Sequence, residues 1–229
     1  MNSNAVLITG GARRVGAALA RGFAAQGYDV ALHYHQSSHE AQALADEINA
    51  PLYQADLTAE GAPQKLIAQA VKDFPHLNTL INNASTFRRA HLKDSTEQSI
   101  AEDIAINLTA PLNMMREFSA QLQADSGSII NMLDTAIHTT HPAHFAYLIA
   151  KKGLGEATKM AAREMIGRVR VNAICPGHLL PTEGEDAYEP TFQPVEPTVE
   201  QVVQAALMLA QNESYIGQLL NIDGGKSIL

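Results

Sequence analysis

The stretch Ala5-Val6-Leu7-Ile8-Thr9-Gly10-Gly11-Ala12-Arg13-Arg14-Val15-Gly16 reads as a strand, a glycine turn and the start of a helix. Glycines let the backbone approach a ligand closely, and a helix N-terminus presents unpaired N–H groups to a pyrophosphate. The spacing departs from G-x-G-x-x-G, so the strand–turn–helix context carries the reading more than the glycines do. The bland alternative is a tight structural turn with two surface arginines.

Outward from this turn, short β-branched apolar runs alternate with amphipathic stretches of helical length. That alternation is the pattern of a parallel sheet covered on both faces. Seven strands are predicted: 5–9, 29–34, 52–55, 79–82, 128–133, 169–174 and 218–222. Helices are predicted near 15–26, 38–48, 62–74, 97–122, 145–166 and 198–211. Right-handed crossovers make this a doubly wound α/β sheet, and a single domain over 1–229 is expected. Five of the ten prolines fall in the aperiodic stretch 176–197, which reads as a substrate loop over the crevice at the strand ends.

A formal charge of −8 excludes a nucleic-acid surface, which needs clustered cations. The cations that do cluster, Arg13-Arg14 and Lys151-Lys152, gain interest accordingly. No run approaches the ~18 apolar residues of a membrane span. The single cysteine, Cys175, excludes an internal disulfide, and with no leader pattern at the N-terminus a cytoplasmic protein is expected. Two histidine sets, 33/35/39 and 138/141/144, lack acidic or thiolate partners at a recognisable spacing, so no metal site is expected.

The second predicted strand ends in His33-Tyr34-His35-Gln36-Ser37. An NAD site places an acid there to hold the ribose 2′-hydroxyl, whereas this end carries none. His33, His35, Ser37 and Arg14 instead suit a 2′-phosphate, which points to NADPH/NADP. Tyr147 and Lys151 lie four residues apart in a helical pattern and so share a face. A neighbouring ammonium stabilises a phenolate and is expected to pull the Tyr147 pKa down.

The Thr9-Gly10 turn, Asn82-Asn83-Ala84, Asn107, Tyr147-x-x-x-Lys151, Cys175-Pro176-Gly177 and Asp223-Gly224-Gly225 follow one another in an order that resembles the short-chain dehydrogenase/reductase family. Most members carry a serine thirteen residues before the tyrosine; here that position is Asp134. With Arg13-Arg14, the His-Tyr-His-x-Ser run and Asn83-Ala84-Ser85-Thr86-Phe87, this aspartate makes the chain most similar to the pteridine reductase branch.

The resemblance implies a Rossmann fold and a homotetramer. It implies catalysis by Asp134, Tyr147, Lys151 and Asn107, the last in a water relay with the lysine. For the cofactor it implies Gly10, Arg13, Arg14, Val15, His33, Tyr34, His35, Ser37, Asp56, Leu57, Asn83, Ala84, Ser85, Lys151, Pro176 and Gly177. For a pterin or folate substrate it implies Arg14, Ser85, Phe87, Asp134 and Tyr147, with Phe87 stacking on the pterin. Asp223-Gly224-Gly225 is expected to be structural. A serine suits a carbonyl oxygen, whereas a carboxylic acid can deliver a proton to a ring nitrogen. The expected activity is therefore NADPH-dependent reduction of a pterin. Reduction of carbonyls or 3-oxoacyl groups, and non-catalytic NADP binding, are the alternatives.

Overall fold

The computed structural model describes residues 4–179 and 195–228. Most of the predicted 176–197 loop therefore lies outside the described residues. Seven strands form one parallel sheet in the order β3-β2-β1-β4-β5-β6-β7. They are β1 (Ala5–Ile8), β2 (Asp29–Tyr34), β3 (Leu52–Gln54), β4 (Leu77–Asn82), β5 (Gly127–Met132), β6 (Val169–Pro176) and β7 (Leu219–Ile222). Each agrees with its predicted span to within two residues at either end. The helices are α1 (Arg14–Ala25), α2 (Ser38–Ile48), α3 (Ala62–Asp73), α4 (Glu97–Ile104), α5 (Ala110–Gln121), α6 (Phe145–Glu164) and α7 (Val199–Gln211).

The strands are continuous apolar runs because both faces of the sheet are covered. In β1, Ala5 and Leu7 face a layer built from α3, α5 and α6, through Leu66, Ile67, Met114, Phe118 and Leu154. Val6 and Ile8 face the opposite layer, built from α1, α2 and α7, through Leu19, Phe23, Leu44, Val202 and Leu209. Phe23 and Phe118 are each fully buried, one in each layer. A side chain of that size contributes about 1.5–3 kcal/mol on full burial.

Strand order reverses between β1 and β4, which are neighbours in space but not in sequence. At such a switch point the loops leaving adjacent strands diverge in opposite directions and open a crevice at the strand ends. Thr9-Gly10 leaves β1 and Asn83-Ala84 leaves β4 at this point.

The predicted helix 97–122 departs from expectation. It is interrupted by one π-helical turn, Ala105–Thr109, between α4 and α5. Such a turn accommodates one residue more than the α-helix does, and it is found frequently at functional sites. Asn107 sits at its centre, fully buried.

Candidate active site

The crevice is stitched together by side chains that satisfy turn backbone. Thr9 Oγ1 accepts the N–H groups of Asn83 at 2.9 Å and Ala84 at 3.0 Å. In return, Asn83 Nδ2 donates to the carbonyls of Thr9 at 2.9 Å and Gly10 at 3.0 Å. Gly10 adopts φ +61°, which glycine tolerates without strain. A Cβ on Gly16 would lie 2.2 Å from the Gly10 carbonyl oxygen, so α1 can start this close to the turn only with glycine there. No side chain caps the N-terminus of α1. A helix N-terminus set against a glycine turn in this way fits a pyrophosphate.

His33 corrects the sequence reading. It was expected to face a 2′-phosphate, but its side chain is buried beneath the turn. Its Nδ1 accepts the Gly10 N–H at 3.0 Å and its Nε2 pairs with the Ala55 carbonyl at 3.1 Å. These partners require the neutral tautomer protonated on Nε2, and burial pushes the pKa down to about 4. The histidine braces the turn from below rather than touching a ligand. The signal was present in the sequence: a residue inside a strand covered on both faces points into the core.

The sign of this shift yields a prediction. An unfolded chain protonates His33 below about pH 6.5, while the folded chain resists to about pH 4. The stability contributed by neutral His33 is complete above the unfolded value and declines as pH falls through this window. Between pH 7.5 and 4.5 the loss is expected to be roughly 2–3 kcal/mol. His33→Gln retains an acceptor and a donor without titrating, so denaturant melts of this variant should lose less over the same interval. Equal losses in the two proteins would contradict the assignment.

At the end of β2, Tyr34 and Ser37 are half-buried and His35 is exposed. Arg13 is exposed and approaches Glu40 at 4.0 Å. Asp56 is exposed, and its Oδ1 accepts both the Thr58 hydroxyl at 2.7 Å and the Thr58 N–H at 2.9 Å. Those bonds hold its carboxyl below the usual range. Leu57 is buried in the core, so only its backbone is placed to meet a ligand. Val15, Ala84, Pro176 and Gly177 are partly exposed along the crevice, Gly177 being tied to β7 through the Ile222 carbonyl at 2.8 Å.

The catalytic candidates converge across β5 and α6. Tyr147 donates to Asp134 Oδ2 at 3.0 Å, while Asp134 Oδ1 accepts the Ala136 N–H at 2.7 Å. Lys151 Nζ lies 5.7 Å from the centroid of the Tyr147 ring and donates to the Met132 carbonyl at 2.8 Å. Burial, the charge of Asp134 and their hydrogen bond raise the Tyr147 pKa well above its ordinary value. This reverses the sequence expectation, because the phenol is buried and the aspartate, not the ammonium, touches it. Burial also lowers Lys151 to about 8.

The side chain of Asn107 bonds the segment that leaves β4. Its Oδ1 accepts the Ser85 hydroxyl at 2.6 Å and its Nδ2 donates to the Thr86 carbonyl at 3.2 Å. It therefore shapes the segment leaving β4. Phe87, at the tip of that segment, is 47% exposed, which rules out a core role. Its ring meets Tyr147 edge-on at 4.9 Å. Asp223 is structural as expected: its carboxylate accepts the Thr135 hydroxyl at 2.7 Å and the Ser227 N–H at 2.8 Å. It thereby anchors the residue next to Asp134. Among the described residues no group of three or more His, Cys, Asp or Glu is arranged to hold a metal.

A family model described as enoyl-(acyl carrier protein) reductase matches residues 10–227, nearly the whole chain. The chain belongs to the short-chain dehydrogenase/reductase family. Among curated proteins, this family member is 32% identical over 185 residues to the 3-oxoacyl-(acyl-carrier-protein) reductase FabG of Staphylococcus aureus, covering 78% of this chain and 75% of that one. It is 32% identical to the acetoacetyl-CoA reductase of Rhizobium meliloti, over 77% of this chain and 74% of the other. Among solved structures it is similar to the FolM alternative dihydrofolate reductase 1 of Brucella suis in complex with NADP. That match has TM-score 0.92 and 29% identity, and covers 100% of this chain and 96% of the other. The Brucella canis protein of the same name, also complexed with NADP, matches with TM-score 0.92 and 30% identity, covering 100% and 95%.

One feature of this member's turn was not foreseen. Arg14 adopts φ +53°. A non-glycine residue in the left-handed region costs about 1–2 kcal/mol. Arg14→Gly should relieve that strain, partly offset by the looser unfolded chain, for a net stabilisation of about 0.5–1 kcal/mol. Arg14→Ala keeps the strain and controls for loss of the side chain. A calorimetric scan in which the glycine variant melts no higher than the alanine variant would show that the strain is relieved elsewhere.

Proposed function

We propose that this protein is an NADPH-dependent reductase of pterins, taking a dihydropterin or dihydrofolate to the tetrahydro form. The observation that carries the reading is the Tyr147–Asp134 hydrogen bond of 3.0 Å, beneath the exposed ring of Phe87. The NADP complexes of the two Brucella proteins support the cofactor. Arg14, His35 and Ser37, with no acid at the end of β2, support the 2′-phosphate.

NADPH, when bound, supplies the hydride to a ring carbon of the substrate. The adjacent ring nitrogen then needs a proton. Tyr147 holds its own proton tightly, so removing it would leave a phenolate against a carboxylate. Asp134 in its acid form is the better donor. Tyr147 fixes the direction of its carboxyl through Oδ2, and the Ala136 N–H fixes it through Oδ1. Lys151, buried and cationic below about pH 8, offsets the charge that Asp134 acquires. Phe87 supplies a flat apolar surface, and Ser85 and Arg14 are assigned to the polar edges of the substrate.

A second reading, 3-oxoacyl reduction, is favoured by the Staphylococcus aureus relative. Asp134 weighs against it, because the serine that the family resemblance pairs with a carbonyl oxygen is absent at that position. Cytoplasmic location and a homotetramer belong to the same proposal. Exposed Leu112, Ile149 and Met160 on α5 and α6 supply apolar surface for such an assembly. Among the described residues no helix is long and apolar enough to cross a membrane.

The test is NADPH oxidation measured with dihydromonapterin, dihydrobiopterin, dihydrofolate and a 3-oxoacyl thioester. Turnover is expected on at least one of the first three. Activity on the thioester alone would replace this reading with the second.

A further inference from the structure

His144 lies one helical turn before Tyr147, at the N-cap of α6, and is absorbed by none of the roles above. Its ring stacks on Phe87 with centroids 4.1 Å apart and an interplanar angle of 19°. The same imidazole meets Tyr147 edge-on at 6.4 Å. Its Nδ1 pairs with the Arg88 carbonyl at 3.0 Å, so the proton sits on that nitrogen and the ring cannot spin away from Phe87. The backbone repeats the tie: the Phe145 N–H donates to the Ala90 carbonyl at 3.1 Å, and Ala90 bridges to His144. Burial lowers the His144 pKa, which keeps the imidazole neutral and the stack free of an added charge.

These contacts solve a specific physical problem. Phe87 is 47% exposed on a segment without regular secondary structure, and an exposed aromatic ring ordinarily samples several rotamers. A flat ligand binding to a ring that must first be ordered loses affinity to that ordering. A parallel imidazole on one face leaves the other face presented in one plane.

We propose that His144 is a specificity-determining positioning residue: by stacking behind Phe87 it fixes the plane on which a flat heteroaromatic ligand is bound, selecting such ligands over flexible acyl chains. The inference rests on the pterin reading for the identity of the natural ligand, but not for the surface itself. His144→Phe preserves the stack and removes the Arg88 bond, whereas His144→Ala removes both.

The experiment is calorimetric titration of 2,4-diaminopteridine into the NADP-saturated protein, with NADPH affinity and melting temperature measured on each variant. His144→Ala is expected to bind the pteridine roughly fivefold to tenfold more weakly, with NADPH affinity unchanged, and His144→Phe to recover most of the loss. Unchanged pteridine affinity in the alanine variant overturns the inference. So does equal weakening in both variants with a fall in melting temperature, which would make the Arg88 bond the operative contact. A parent that fails to bind the pteridine overturns it as well. A parent that binds the pteridine in the expected pattern yet reduces no dihydropterin leaves the inference standing and removes only the pterin reductase reading.

Discussion

The Asp134→Ser protein is expected to lose about 10²–10³-fold in turnover on a dihydropterin while remaining folded. Asp134 has two separable duties. Through Oδ1 it caps the turn that follows β5, accepting the Ala136 N–H at 2.7 Å, and serine is an equally good cap. Stability should therefore change by less than about 1 kcal/mol. Through Oδ2 it meets Tyr147, and there a serine hydroxyl cannot act as an acid near neutral pH. The pH–rate profiles of both proteins should decline above about pH 8 as Lys151 loses its charge. A hydroxyl polarises a carbonyl oxygen without titrating, so weak activity on a small ketone is expected to appear. If the variant reduced pterins as fast as the parent at every pH, Asp134 would have no part in proton delivery.

Tyr147→Phe is expected to lower turnover by about 10²-fold or more, with NADPH affinity within about twofold of the parent. The phenol is buried, and its hydroxyl is directed at Asp134 rather than at the glycine turn. Removing it leaves Oδ2 without that donor and the carboxyl free to rotate about the bond to its cap. The ring itself stays, so the edge-on contact with Phe87 at 4.9 Å survives and substrate KM should move much less than kcat. Steady-state kinetics beside cofactor titration by fluorescence separates the two quantities. Near-normal turnover would mean that protons arrive without the phenol. A matching rise in NADPH dissociation constant would mean that the substitution disturbs the crevice.

The strands were legible because their chemistry is local and repetitive. A run such as Ala5-Val6-Leu7-Ile8, apolar on both sides of the pleat, has no stable place except between two helical layers. The pairing of Asp134 with Tyr147 was legible from spacing joined to family resemblance. What spacing did not convey is which partner governs the phenol. A lysine four residues along the helix looks adjacent, yet its ammonium turns to the Met132 carbonyl, and the aspartate from another strand end makes the contact. His33 was misread because it was treated as part of the strand end, although a sheet covered on both faces turns a residue inside β2 into the core. Asn107 was found by order in the chain, but its partners were not, since Ser85 and Thr86 reach it only through the fold.

The π turn at Ala105–Thr109 also went unseen, because nothing in Ala105-Ile106-Asn107-Leu108-Thr109 breaks an amphipathic pattern. In the vocabulary of insertions and deletions, this turn is the footprint of one surplus residue carried inside an otherwise continuous helix. Removing a single codon there would make the helix more regular and still sever Asn107 from Ser85. The flanks would stay in register, with Met114 and Phe118 still in the core they now fill, because the deletion takes out only the surplus residue. The length of this segment thus matters to the crevice more than to the core, so a one-residue deletion here should cost activity while the fold is kept.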